Sequence, residues 1–257
     1  MSGSISARFD GRVALVTGAG RGIGRAVALE LAAGGTRVAL LARSVDQLEG
    51  TAEALRSAGG EAVVVPVDLA DTPDIAEVAA RAIKELGPVD ILINNAAAVQ
   101  PAGPILTSAP EGWSRAFAVN AEAPIQLTLA LLPAMLERGW GRIVNVSSGI
   151  VERPEAMVGL NAYAATKAAL EAHTLNLAAE LAGSGVTANV FRPGSVDTAM
   201  QAWFRSQPPE DIGSTLHDYF QTSYEQGALI APEHAARYLL ARLAGGATGE
   251  IWTVSGA

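Results

Sequence analysis

From Arg12 onward the chain alternates short runs of β-branched and aliphatic residues with longer amphipathic stretches, and few folds accept that repeat. A strand followed by a helix and another strand pairs in parallel only by crossing one face of a sheet, and such crossovers are right-handed. The pattern predicts a single α/β domain over residues 1–257, a Rossmann-like doubly wound parallel sheet of about seven strands with helices on both faces. Strands are expected at Arg12–Thr17, Arg37–Ala42, Ala62–Val67, Asp90–Asn94, Gly141–Ser147, Thr187–Arg192 and Ile251–Val254. Several helix ends are also written out. Ser44-x-x-Gln47 and Ser108-x-x-Glu111 have the form of capping boxes, Thr72-Pro73 sets a cap before a first-turn proline, and Gly59 and Gly87 stand where glycines stop helices.

The rhythm breaks once, between Met200 and Leu229. That segment gathers Trp203, Phe204, Tyr219, Phe220 and Tyr224 around the breakers Pro208, Pro209 and Gly213. It reads as a substrate lid over residues 200–229 with an apolar inner side, or as a helical pair packed permanently on the body.

Composition excludes several functions. A chain without Cys has no disulfide, no thiol nucleophile and no cysteine-ligated zinc, and His173, His217 and His234 lack metal-ligand spacing, so no metal is expected. A net charge of −8 with no basic stripe argues against nucleic acid and anionic membranes as partners. No uninterrupted apolar run approaches the ~20 residues of a membrane span, and Met1 to Asp10 has no apolar signal core, so the cytoplasm is the expected compartment.

The first strand runs directly into Thr17-Gly18-Ala19-Gly20-Arg21-Gly22-Ile23-Gly24 and then a helix over Arg25 to Ala33. Glycines in such a loop allow a tight turn and let backbone N–H groups at a helix start approach a pyrophosphate. A lone glycine-rich loop is a weak signal, but one placed between a strand and a helix is a strong one. The second strand ends at Ala42, where folds that prefer NAD carry an acid for the ribose 2′-hydroxyl. Arg43 follows and Arg21 lies in the loop, so two guanidiniums stand ready for a 2′-phosphate, which points to NADP(H). Asp68-Leu69, after the third strand, sits where a carboxylate accepts from an adenine amino group, or simply begins the next turn.

In Asn161-Ala-Tyr163-Ala-Ala-Thr-Lys167 a phenol and an ammonium lie one helical turn apart on one face. A cation beside a tyrosine favours the phenolate and makes a better acid of a group whose pKa is about 10. By itself the pair is equally an ordinary helix surface.

Taken together, these motifs resemble the short-chain dehydrogenase/reductase family over essentially the whole chain. Its T-G-x-x-x-G-x-G is similar to Thr17 to Gly24, its N-N-A-G to Asn94-Asn95-Ala96-Ala97, with Ala97 in place of the last glycine. The resemblance implies a catalytic Asn120, Ser148, Tyr163 and Lys167. It also implies cofactor contacts from Gly18, Gly20, Arg21, Gly22, Ile23, Gly24, Arg43, Asp68, Leu69, Asn95, Ala96, Ala97, Tyr163, Lys167, Pro193, Gly194, Val196 and Thr198. Ser147 is a second choice for the serine, since neighbours on a strand point to opposite faces. Tyr163 follows Ser148 by fifteen positions, longer than is usual in similar enzymes, and the extra length falls in a loop where Val151, Pro154, Met157, Val158 and Leu160 are expected to face the substrate.

The implied reaction is hydride transfer between NADP(H) and a carbonyl or secondary alcohol of a small or medium, largely apolar substrate. Ser148 would bond the substrate oxygen, Tyr163 exchange the proton, and Lys167 lower its pKa and hold the nicotinamide ribose. Asn120 precedes Pro124 by four positions; a proline has no N–H for the i−4 carbonyl, so a kink and a carbonyl free to hold a relay water are expected. A cofactor-binding sensor or scaffold, or a lyase or epimerase of the same family, are the competing readings. Small and apolar residues over Ser114–Leu136 and Asn161–Ala182, together with the resemblance, imply a homotetramer or homodimer built on those helices.

Overall fold

The computed structural model describes residues 9–70 and 75–254, so the expected Thr72-Pro73 cap lies outside the described residues. Seven parallel strands, β1 (Val13–Thr17), β2 (Arg37–Ala42), β3 (Ala62–Pro66), β4 (Ile91–Asn94), β5 (Gly141–Val146), β6 (Val186–Arg192) and β7 (Ile251–Thr253), form one sheet in the order β3-β2-β1-β4-β5-β6-β7. Every expected strand is present, and no end is displaced by more than one residue. The helices are α1 (Gly22–Ala33), α2 (Val45–Ser57), α3 (Ile75–Leu86), α4 (Pro110–Phe117), α5 (Ala123–Glu137), α6 (Asn161–Glu180), α7 (Ala199–Ser206), α8 (Pro209–Ile212), α9 (Ser214–Glu225) and α10 (Pro232–Leu243).

Strand alternation builds two cores at once. Ala14, Val16, Val38 and Leu40 pack with Val27 and Leu31 of α1 and Leu239 of α10, while Val13, Leu15, Ala39 and Leu41 pack on the other face with Val78 of α3, Leu127 and Leu131 of α5 and Leu177 of α6. Each buried Val or Leu among them stabilises the fold by about 1.5–3 kcal/mol, which is why strands buried on both faces read as unbroken apolar runs. β1 pairs with β2 on one side and β4 on the other, so crossovers leave it in opposite directions and open a crevice at the strand C-termini.

The helix ends hold some corrections. Gly59 and Gly87 take left-handed φ of 84° and 87° directly beyond α2 and α3, as expected. Ser44 does precede α2, but its side chain makes no capping bond. The expected box at Ser108 is absent because α4 starts later, at Pro110, whose missing N–H suits the first helical turn. α1 begins at Gly22 and not at Arg25, which puts the last two loop glycines inside its first turn. Pro110–Glu137 forms one helical stretch of 28 residues, long and apolar enough to cross a membrane, although broken by charges that an uninterrupted-run criterion rejects. Half of its most apolar window is buried within the domain, where Leu127, Leu131 and Met135 serve as core.

A third apolar cluster joins the segment after β6 to the body. Phe204 of α7, Ile212 of α8, and Leu216 and Phe220 of α9 pack with Ile150, Leu160 and Tyr163. Phe204 and Phe220 stack with ring centroids 4.1 Å apart.

Candidate active site

The crevice holds a cavity of about 1250 Å³ that runs from the glycine loop to α7 and α9. At one end α1 points its N-terminus inward. Arg21, the residue before it, is extended and gives no side-chain cap, so the first N–H groups of the helix are available to an anion. Gly18 and Gly22 have φ of 66° and 55°. A Cβ at Gly18 would lie 2.8 Å from Asn95 Nδ2, and one at Gly24 would run into the Gly18 carbonyl oxygen. Gly24 therefore serves close packing of helix on loop and does not line the cavity.

Asn95 is a clamp as much as a wall. Thr17 Oγ1 accepts from the backbone N–H of Asn95 and Ala96 at 2.9 and 3.0 Å, and Asn95 Nδ2 donates to the Thr17 carbonyl at 2.9 Å. The ends of β1 and β4 are thereby fixed against each other. Ala42, Arg43, Asp68 and Leu69 form the wall beyond, with the exposed guanidiniums of Arg21 and Arg43 reaching the same end.

One residue of this end escaped the sequence reading. Arg115 of α4 donates from Nη2 to both oxygens of Asp68, at 2.8 and 3.1 Å. Burial alone would raise the Asp68 pKa, but the Arg115 hydrogen bond, the Ala70 N–H and the nearby charge of Arg43 outweigh it and leave the carboxyl below its usual range. No local signal marks a partner 47 positions away.

Ser148, Tyr163 and Lys167 meet on the inner wall, with Pro193, Gly194, Val196 and Thr198 facing them. Ser148 Oγ accepts from the Ile150 N–H at 3.3 Å, and its hydroxyl faces the Tyr163 phenol across the cavity wall. Lys167 Nζ lies 5.7 Å from the Tyr163 ring centroid and donates to the Val146 carbonyl at 2.7 Å. Contrary to expectation, the protein's own groups do not depress the phenol: burial pushes Tyr163 up to about 12 against the lowering influence of the Ser148 hydroxyl, and burial brings Lys167 down to about 8 although Glu171 raises it. Ser147 is spoken for. Its hydroxyl donates to Glu171 Oε1 at 2.7 Å in the interior, which favours Ser148 as the serine that faces a substrate.

Asn120 stands behind this wall. The expected kink takes the form of a π-helical turn, Ala118–Glu122, in which the Ala123 N–H reaches the Ala118 carbonyl. The Asn120 side chain is fully engaged: Oδ1 accepts from the Ala98 N–H at 2.7 Å, and Nδ2 donates to the Ala98 carbonyl at 2.8 Å and to Thr166 Oγ1 at 3.0 Å. Pro124, four positions on, has no N–H to offer the Asn120 backbone carbonyl.

The far end is apolar, walled by Val99, Ile150, Met157, Leu160, Met200, Trp203, Phe204, Tyr219 and Phe220, with Gln100, Arg153 and Gln201 as polar points. Of the loop residues expected here, Met157 and Leu160 line the cavity. Val151 packs in the third apolar cluster. Pro154 and Val158 are exposed, because the short 3-10 turn Pro154–Ala156 swings them outward.

A family model described as short chain dehydrogenase matches residues 12–209. The 2,3-dihydro-2,3-dihydroxybenzoate dehydrogenase of Bacillus subtilis is 33% identical over 239 residues, 92% of this chain and 90% of that protein. Among solved structures, a variant of the actinorhodin polyketide ketoreductase with NADPH superposes with a TM-score of 0.85 at 34% identity, covering 95% of this chain and 96% of that one. An NAD⁺-bound xylitol dehydrogenase gives 0.85 at 25% identity, covering 97% and 99%. The glycine loop, the paired Tyr163 and Lys167 and these matches agree, and the chain belongs to the short-chain dehydrogenase family.

Proposed function

We propose that the protein transfers a hydride between NADP(H) and a carbonyl or secondary alcohol carbon of a small or medium, largely apolar substrate. The observation that carries this is the convergence of Ser148, Tyr163 and Lys167 on the wall of a cavity whose other end is an uncapped helix N-terminus behind a glycine loop. That cradle fits a dinucleotide: side chains at Gly18 or Gly22 would strain the backbone, Arg21 and Arg43 offer charge to a 2′-phosphate, and Ala42 withholds the acid that would repel it. When bound, the nicotinamide supplies or takes the hydride.

Ser148 orients the substrate oxygen through its hydroxyl. Tyr163 gives or takes the proton at its phenolic oxygen, and Lys167 holds a positive charge beneath it. A phenol at about 12 is a weak acid, so the tuning would come from a positive charge brought beside Tyr163, such as an oxidised nicotinamide would supply. The aromatic residues of α7 and α9 exclude water from the reacting atoms. Screening turnover with NADPH and NADP⁺ against ketones, quinones, acyl thioesters, sugars and steroids tests the reading, and absence of turnover on every class would overturn it.

The segment 200–229 acts as a lid in this proposal, since Met200, Trp203 and Tyr219 line the cavity while only part of their surface is buried. Its hydrogen-exchange protection should rise on adding cofactor and a substrate analogue. Homodimers or homotetramers form through α5 and α6, where Leu129, Leu136 and Leu175 are exposed. Light scattering at micromolar concentration should give a mass of two or four chains. The acidic, cysteine-free composition supports a cytoplasmic enzyme with no nucleic-acid or membrane partner, checked by fractionation of the source cells.

A further inference from the structure

Beneath the reacting wall lies a buried ion pair that none of these roles uses. Glu171, one turn beyond Lys167 on α6 and 5% exposed, accepts from Arg192 through both oxygens, Nε to Oε1 at 2.8 Å and Nη2 to Oε2 at 2.8 Å. Oε1 also accepts from Ser147 Oγ at 2.7 Å. Arg192 in turn reaches Glu152, in the long loop after Ser148, from Nη1 at 3.3 Å.

Each partner sits next to a residue of the proposed reaction. Ser147 precedes Ser148, Arg192 precedes Pro193-Gly194, and Glu171 follows Lys167 by one turn. Stability alone is a poor reason for such a group, because a well-packed apolar pair of similar volume usually serves a fold as well as a buried ion pair or better. We propose that Glu171 is a positioning residue: its carboxylate clamps the ends of β5 and β6 so that Ser148 meets Tyr163, and it keeps a negative charge one turn from the Lys167 ammonium. The inference rests on the assignment of Ser148, Tyr163 and Lys167 given above.

The charges around Lys167 support it. Tyr163 and Glu171 share α6 with it, Glu171 is held by Arg192 of β6, which also reaches Glu152, and β5 offers the neutral Val146 carbonyl. Glu171 is thus the anion that opposes the burial drawing the Lys167 pKa down to about 8. Without it the ammonium would lose its proton at lower pH, and the reducing reaction, which needs a proton from Tyr163, would fail earlier on the alkaline side.

The test is Glu171→Gln, assayed on the best carbonyl substrate from the screen. Expected are a kcat lower by roughly tenfold or more, the scale of a lost charge-assisted hydrogen bond, and an NADPH KM within about twofold of wild type. The alkaline limb of kcat/KM should also move to lower pH. An unchanged kcat with an unmoved limb would overturn the proposal. Should Glu171→Gln fail to fold, the double variant Glu171→Met with Arg192→Met is read by the same criteria: native melting with impaired turnover supports positioning, and native turnover overturns it. Ser147→Ala removes one hydroxyl, leaves the ion pair in place and keeps the question open to measurement whatever the others do. It should lower kcat severalfold with the limb unmoved, and a native kcat would refute the clamp on Ser148. Tyr163→Phe, run alongside, separates the two levels: if it stays active the underlying assignment falls, and if it is inactive while every Glu171 and Ser147 variant is native, only this inference falls.

Discussion

Lys167 donates from Nζ to the Val146 carbonyl at 2.7 Å, across the gap between α6 and β5, with its side chain 1% exposed. A buried ammonium held by one neutral acceptor is a costly way to fill a core, and the cost is legible in its pKa, drawn from 10.5 to about 8 by burial. Between those values the unfolded chain holds more protons than the folded one. Stability from this group therefore rises with pH across that window, and the penalty is complete below about pH 8.

Lys167→Met should accordingly stabilise the protein while abolishing most turnover. The shift corresponds to a gain on the order of 3 kcal/mol near neutral pH, or several degrees in Tm for a chain of this size, less whatever the lost bond to Val146 contributes. The advantage over wild type should shrink as pH rises from 8 to 10.5. Thermal melts of both proteins across that range check it, and a lower Tm for the variant at pH 7 contradicts the burial argument.

Tyr163→Phe removes a proton donor without removing bulk. Turnover should fall by about 10³-fold, within the range that a positioned acid or base supplies, while NADPH binding stays within about twofold. The phenol is raised to about 12, so above pH 10 the folded wild type keeps a proton that the unfolded chain has lost, and stability falls with rising pH. The Phe variant lacks this term. Its melting temperature should decline less steeply than that of wild type above pH 10, and identical slopes would show that the phenol is not the group held neutral by the fold.

Cofactor choice should follow Arg21, Arg43 and the missing acid at position 42. NADPH is expected to bind more tightly than NADH by at least ~1.4 kcal/mol, a tenfold ratio, from charge-assisted bonds to the 2′-phosphate. Both guanidiniums are exposed, so the ratio should narrow as salt rises. Ala42→Asp should reverse the preference. Equal affinity for the two cofactors by fluorescence titration removes the argument.

The strands were legible because burial on both faces forces continuous aliphatic runs, such as Val13-Ala14-Leu15-Val16, that no other element requires. The cofactor loop was legible for the same kind of reason: its glycines answer local backbone demands, and Gly18 and Gly22 do have positive φ. What escaped was set by partners distant in sequence. The Arg115 bond to Asp68 and the bidentate pair of Glu171 and Arg192 depend on how α4, α6 and β6 are laid against one another, and no spacing rule records that. The Ser108 cap failed where two local signals competed and Pro110 set the helix start. The raised Tyr163 pKa is not written in the spacing, which announces the ammonium but not the depth at which both groups lie.

The π-turn at Asn120 admits two causes, and they predict different mutants. Pro124 withholds the N–H that would close an α-turn on the Asn120 carbonyl, whereas the Asn120 side chain anchors the turn through three hydrogen bonds to Ala98 and Thr166. At about 1 kcal/mol each, those bonds oppose the up to ~3 kcal/mol by which Ala is favoured over Pro in a helix interior. Closing the α-turn would rotate Asn120 and pull its amide from both partners. Pro124→Ala is therefore expected to keep the π-turn, with Tm moved by less than ~2 °C and kcat within about twofold, since the opposing terms nearly cancel. Asn120→Leu should instead lose on the order of 3 kcal/mol and most turnover, because it removes the partner of the half-buried Ala98 N–H and carbonyl and of the buried Thr166 hydroxyl. If Pro124→Ala melts markedly higher and turns over slowly while Asn120→Leu is nearly native, the proline is what holds the carbonyl open, and the asparagine side chain is incidental to the turn.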